Sequence, residues 1–201
     1  MYSKTGFVKA NNSSIYYEAA GSGEPVLFVH GDTLDMHMWD AQFDLFSKGY
    51  LTLRLDLRGF GKSDMPDGSA FQHADDIAAI LDILNIDSAH IVGHSMGGSI
   101  AVDFAVKYPE RMRGLVVVNP DISPLSDERL GEIKATTLVL VGQLDTLLHQ
   151  TAADKMRANI PRNMMFTLPN VGHLPNMEDP ETFNTVVHSF LMEVGCGCAG
   201  G

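Results

Sequence analysis

Short apolar runs rich in β-branched residues, set between longer stretches of helical period, constrain this chain more than any other feature. Val26-Leu27-Phe28-Val29 and Leu115-Val116-Val117-Val118 show no polar alternation. A strand formed from such a run has to be covered on both faces, as in a parallel sheet flanked by helices. The pattern predicts strands at residues 6–10, 14–19, 25–29, 51–56, 89–92, 114–118, 137–141 and 164–168, and helices at 38–46, 72–84, 96–107, 151–159 and 180–193. Ile77, Ile80, Leu81 and Leu84 recur at helical spacing and give the second helix one buried face. Pro109 closes the third helix, and Asp179-Pro180 supplies a cap and a first residue for the last. The first two strands, joined through Asn11-Asn12-Ser13, read as a hairpin with a short polar turn. Strand and helix then alternate, so the fold class is α/β.

With 201 residues, 45% of them hydrophobic, the chain suffices for one well-buried core. We expect a single core domain over residues 1–194 and a flexible tail over 195–201. Fourteen Lys and Arg against 25 Asp and Glu leave a formal charge of −11. That balance argues against nucleic-acid partners, which demand a cationic face, and against adsorption to anionic membranes. No apolar run approaches the ~18 residues of a bilayer span, and the N-terminus lacks a secretory signal, so the expected location is the cytoplasm. The only cysteines, Cys196 and Cys198, sit in the tail and cannot staple a core. Two ligands also do not complete a tetrahedral metal site.

The segment that carries chemistry is Gly93-His94-Ser95-Met96-Gly97, directly after an apolar strand and before a helix. Gly-x-Ser-x-Gly in that setting is a sharp turn that exposes a serine oxygen at the carboxyl end of a sheet. A serine hydroxyl is a weak nucleophile and needs a base oriented by a carboxylate. In this chain order the acid follows the serine and the histidine comes last. Asp145 follows the strand at 137–141 and His173 the strand at 164–168, so all three arise past strand carboxyl ends. Asp121, past another strand end, is an alternative acid. His30 and His94 read as residues that set loop geometry, Arg58 and Asp64 as organisers of the loop after Asp56. His37, His73, His149 and His188 show no metal-ligand grouping and read as surface or packing residues.

Five segments in order, Phe28-Val29-His30-Gly31, Asp56-Leu57-Arg58-Gly59-Phe60-Gly61-Lys62-Ser63, Gly93-His94-Ser95-Met96-Gly97-Gly98, Gly142-Gln143-Leu144-Asp145 and Gly172-His173, extend this reading. Through them the chain resembles the α/β-hydrolase superfamily, in its small esterase, lactonase and C–C-bond hydrolase branch, from about residue 16 to residue 191. The resemblance implies a mostly parallel eight-stranded sheet with an antiparallel N-terminal hairpin and helices on both faces. It implies Ser95 as nucleophile, His173 as general base and acid, Asp145 as orienting carboxylate, and the backbone N–H groups of Asp32 and Met96 as oxyanion hole. No metal or organic cofactor is required. Met36 and Met38 are candidates for the substrate pocket. Asp32 departs from the family pattern. A carboxylate beside a developing oxyanion would oppose it, so Asp32→Phe or Asp32→Ala is expected to raise kcat/KM unless the side chain turns outward.

Family members usually carry a helical cap before the strand that leads to the acid. Here residues 119–136 leave room for a short remnant with one brief helix near 126–133. The expectation is therefore an open site for small to medium carboxylic esters, in a monomer or a homodimer formed over the uncovered apolar surface. Lactone, peracid and C–C-bond chemistry use the same triad and stay open, as does a non-catalytic or impaired hydrolase-fold protein. Relatives that act on haloalkanes or epoxides carry Asp where this chain has Ser95.

Overall fold

The computed structural model describes residues 3–197. Its framework is one eight-stranded sheet: β1 (Ser3–Ala10), β2 (Ser13–Gly21), β3 (Pro25–Val29), β4 (Leu51–Leu55), β5 (Ala89–His94), β6 (Met112–Val118), β7 (Thr136–Gly142) and β8 (Asn163–Leu168). The spatial order is β1-β2-β4-β3-β5-β6-β7-β8. β2 runs antiparallel to both β1 and β4, and every other pairing is parallel. Asn11 and Asn12 both take positive φ, 48° and 63°, and join β1 to β2 through a two-residue turn with Ala10 opposite Ser13. Two successive left-handed residues match the strand twist, and Asn tolerates that conformation best after Gly.

Alternate residues of the central strands feed two separate cores. Leu27, Val29, Ile91, Leu115 and Val117 pack with α2 (His73–Ile83), α3 (Met96–Lys107) and α4 (Leu147–Asn159) on one face. Val26, Phe28, Val92, Val116 and Val118 pack with α1 (Asp40–Phe46) and α6 (Pro180–Gly197) on the other. Trp39 anchors the second layer, with its ring 5.1 Å from Phe28 and 6.0 Å from Phe183. This two-sided burial is what the unalternating apolar runs required.

Helix ends depart most from the sequence expectations. α4 begins at Leu147 rather than 151, because its first turn carries Leu147 and Leu148 facing solvent (77% and 68% exposed), where no core periodicity marks it. Residues 38–46 divide into a 3-10 turn, Met36–Trp39, capped by the Asp35 carboxylate, and then α1. A one-turn helix, α5 (Pro175–Glu178), follows the His173 loop and is too short to announce itself. Between β6 and β7 the chain forms a loop and one 3-10 segment, Asp127–Glu132. α6 continues to Gly197, past Glu193; the Cys196 and Cys198 side chains and the tail after Gly197 lie outside the described residues. Among the described residues no helix is long and apolar enough to cross a membrane.

Candidate active site

Ser95 sits between β5 and α3 at φ 50°, ψ −117°, backbone geometry a side-chain-bearing residue rarely adopts. The neighbours that allow it are glycines. A Cβ on Gly93 would lie 2.2 Å from the Gly97 carbonyl oxygen, and one on Gly97 would lie 2.4 Å from the carbonyl oxygens of both Val29 and His30. The strand, the turn and the first turn of α3 are therefore in backbone contact with the end of β3, and only glycine fits at both positions. The Ser95 N–H donates to the Val118 carbonyl at 2.9 Å, tying the turn to β6.

Asp145 lies past β7, with its side chain buried. Its Oδ2 is 2.9 Å from His173 Nδ1, and its Oδ1 accepts from the Thr146 N–H at 2.6 Å. Burial works against ionisation of Asp145, but hydrogen bonds from His173, Thr146 and His149 outweigh it and hold the carboxyl below the usual carboxylate range. The structure thus brings the Asp145–His173 pair together. It sets Asp121 apart: that carboxylate faces His149 Nε2 at 3.3 Å instead of His173.

The loop bearing His173 is held by groups whose role the sequence reading missed. Asn119 is fully buried at φ 44°. Its Nδ2 donates to the carbonyls of Gly172 at 3.0 Å and His173 at 2.8 Å, and its Oδ1 accepts from the Gly142 N–H at 2.8 Å. One side chain therefore ties the loop after β6 to the end of β7 and the loop after β8. Glu178, in α5, accepts from the Gly172 and Leu174 N–H groups on either side of His173. His94 Nε2 lies 2.7 Å from the His173 carbonyl, so it carries the proton and donates. Burial pushes the His94 pKa down to about 4, so the ring is neutral at pH 7.

His30 has the loop-setting role expected of it. The Leu57 N–H donates to its Nε2 at 3.0 Å, so the proton sits on Nδ1 and is donated to the Gly31 carbonyl at 2.8 Å. Burial also lowers the His30 pKa. Arg58 is paired bidentately with buried Asp76, and Asp64 accepts from the Ser14 N–H, both organising the segment after Asp56. The Asp32 N–H and the Met96 N–H, at the start of α3, have no protein acceptor among the described residues. The Asp32 side chain is exposed and its Oδ1 accepts from the Thr33 N–H at 2.9 Å. With the carboxylate turned outward, the ground for expecting a gain from Asp32→Ala is removed. Met36 has no accessible surface and Met38 only 7%; Met38 packs in the second core. In this conformation they fill the interior instead of lining an open cleft.

His149 is a correction of a different kind. Read as a surface or packing residue, it lies instead at the site: its ring stacks on His173 with centroids 4.4 Å apart, and its Nδ1 is 3.1 Å from Asp145 Oδ1. The four-residue spacing from Asp145, just before the helix, to His149, the third residue of a helix that begins at Leu147, was the signal available in the sequence.

Comparison with known proteins identifies the fold family. The family model described as the alpha/beta hydrolase fold matches residues 24–130. A 2-hydroxy-6-oxononadienedioate/2-hydroxy-6-oxononatrienedioate hydrolase of Comamonas testosteroni is 26% identical over 263 aligned positions, covering 90% of this chain and 92% of the relative. An alignment of 263 positions that takes in 90% of 201 residues leaves about 80 positions without a counterpart here. The mouse (Mus musculus) protein ABHD14A, by contrast, is 26% identical over only 197 positions, covering 93% of this chain and 79% of the relative. Among solved structures, a thermophilic esterase from Thermogutta terrifontis superposes with a TM-score of 0.83 at 26% identity, covering 95% of this chain and 99% of the esterase.

Proposed function

The chain belongs to the α/β-hydrolase fold family, and from that premise we propose that it is a serine hydrolase of small to medium carboxylic esters. The observation that carries the reading is the Asp145–His173 pair at 2.9 Å, held in the same strand-end cluster as a serine in the strained turn before α3. Ser95 Oγ attacks the ester carbonyl, and His173 Nε2 takes its proton while Asp145 holds the Nδ1–H and stabilises the imidazolium. Negative charge developing on the carbonyl oxygen is met by the Met96 and Asp32 N–H groups, donors typically worth ~2.7–4 kcal/mol each. His173 then protonates the leaving alcohol, activates a water against the acyl-enzyme, and the acid departs.

The ester preference is supported by the short segment between β6 and β7 and by the apolar rim beside the acid. Leu144, Leu147 and Leu148, flanking Asp145, are 67%, 77% and 68% exposed. Such a rim offers acyl groups a partial apolar wall, at up to ~0.8 kcal/mol per buried methylene, while leaving the alcohol side open. Carbon–carbon bond hydrolysis is the second reading, favoured by the Comamonas relative. The roughly 80 positions of that alignment without a counterpart here argue for a less enclosed substrate.

The test is release of p-nitrophenol from acetate, butyrate and octanoate esters, with Ser95→Ala alongside and 2-hydroxy-6-oxononadienedioate as competing substrate. Turnover that falls at least ~10³-fold in Ser95→Ala supports the ester reading. Turnover of the dienedioate alone replaces it with the carbon–carbon reading. Inertness toward all of them overturns both.

A further inference from the structure

His149 is the histidine at the site to which the ester chemistry gives no task. Its Nδ1 lies 3.1 Å from one oxygen of Asp145, while His173 Nδ1 lies 2.9 Å from the other. Two imidazoles therefore converge on one buried carboxylate from stacked rings. On its far side His149 Nε2 is 3.3 Å from Asp121 Oδ1. A carboxylate behind a histidine fixes which nitrogen keeps the proton and turns the other into a ligand, the usual support of a metal-bound imidazole. Without a metal, His149 Nδ1–H donates to Asp145 Oδ1 at 3.1 Å, with the Thr146 hydroxyl 2.9 Å from the same nitrogen; a metal at Nδ1 takes the place of that proton, which passes through solvent to Nε2 and is there donated to Asp121.

The dimensions fit. The donor atoms of Asp145, His149 and His173 all lie within 4.8 Å of one another. Tetrahedral zinc with bonds of ~2.0–2.1 Å has ligand–ligand edges of about 3.3 Å; the two imidazole nitrogens stand 2.9 and 3.1 Å from the two different oxygens of Asp145, so rotation of the rings and the carboxylate brings one atom of each to a shared metal. The His173 side chain is 39% exposed, which leaves room for water as a fourth ligand. Two imidazole nitrogens and a carboxylate form a donor set that borderline divalent metals favour.

The geometry points to a divalent transition-metal site formed by Asp145, His149 and His173, which takes Zn²⁺ or Co²⁺ and silences the hydrolase when filled. The metal bonds to Nδ1 of His173, and the neutral ring transfers its single proton by way of solvent from Nδ1 to Nε2. Nε2 then has no lone pair for the Ser95 proton, and Asp145 is drawn from its orienting role to the metal. The inhibition rests on the serine-hydrolase reading; the site itself does not.

The test uses the full chain with Cys196→Ser and Cys198→Ser, so that tail thiolates cannot contribute, and measures Zn²⁺ binding by titration calorimetry and Co²⁺ binding by visible absorption. We expect one Zn²⁺ per chain, more than ~10-fold weaker binding in His149→Ala, and ~10-fold weaker binding in Asp121→Asn. Asp121→Asn carries the test if His149→Ala fails to fold. Ester turnover should be lost with Zn²⁺ at the same midpoint and restored by EDTA. Absence of binding, or binding unchanged in both variants, overturns the site. Binding as expected in a chain without ester turnover supports the site while the ester reading fails.

Discussion

Replacing Gly97 by alanine sets two effects of known size against each other. On helix propensity alone, Gly→Ala inside α3 should stabilise by about 1 kcal/mol. The structure predicts the opposite. The new Cβ would lie 2.4 Å from both the Val29 and His30 carbonyl oxygens and 2.8 Å from the Val29 carbonyl carbon. These are backbone atoms at the end of a buried central strand, so relief requires α3 and β3 to part by about 1 Å. Overpacking of this kind typically costs about 1–3 kcal/mol, and the rigidity of both partners places it near the upper end. The net loss is then about 1–2 kcal/mol, or a Tm lower by about 2–8 °C for a chain of this length. Gly98→Ala is the internal control, because its nearest contact is 3.2 Å, from the Gly93 carbonyl oxygen. It should melt at or slightly above wild type. Parting α3 from β3 also shifts the Met96 N–H relative to Asp32, and a 1 Å misplacement can lower kcat ~10²-fold. Thermal unfolding by circular dichroism and p-nitrophenyl acetate turnover measure both effects. A Gly97→Ala protein that melts at or above wild type with full turnover would refute the argument.

Asn119→Ala removes three hydrogen bonds, one of them fully buried, leaves the Gly142 N–H without its acceptor and puts a Cβ-bearing residue without a helpful side chain at φ 44°. We expect a loss of about 2–4 kcal/mol in denaturant unfolding and at least a ~10-fold lower kcat at little-changed KM. Asn119→Gly should recover about 1 kcal/mol of that stability but none of the turnover. His94 gives a pH test with a definite sign. Its folded pKa of about 4 lies below the ordinary value of 6.5, so the unfolded chain binds the extra proton first. The stability it protects is fully present above about pH 6.5 and declines toward pH 4, by about 3 kcal/mol in all. His94→Gln, with an amide donor for the His173 carbonyl, should flatten the decline of Tm across that window; an unchanged slope would contradict it.

How much of this was legible in the sequence depended on whether a residue acts through a pattern or through a partner. The central strands were readable because burial on both faces leaves runs such as Leu115-Val116-Val117-Val118 with no polar alternation, as the two cores require. Ser95 was readable because its turn needs Gly93 and Gly97 at fixed offsets. Asp145 and His173 were readable only as residues past strand ends; their 2.9 Å approach is a product of strand order. Asn119 was not picked out, since it acts across loops distant in sequence, and His149 was not, since its four-residue spacing from Asp145 begins before the helix and interrupts no period. Met36 and Met38 read as pocket residues because a flexible thioether accommodates varied shapes, whereas the 3-10 turn at Met36–Trp39 directs them inward. The outward turn of Asp32 follows from its bond to the Thr33 N–H, a local contact that composition does not disclose.

The central claim is that His173 and Asp145 activate Ser95 as a nucleophile. Labelling the folded chain with a fluorophosphonate and locating the adduct by peptide mass spectrometry tests that claim most directly. We expect stoichiometric modification of Ser95, absent in Ser95→Ala, at least ~10²-fold slower in His173→Gln, and absent from the unfolded wild-type chain. Labelling at another serine, or equal labelling of Ser95 in the His173→Gln and unfolded chains, would contradict it.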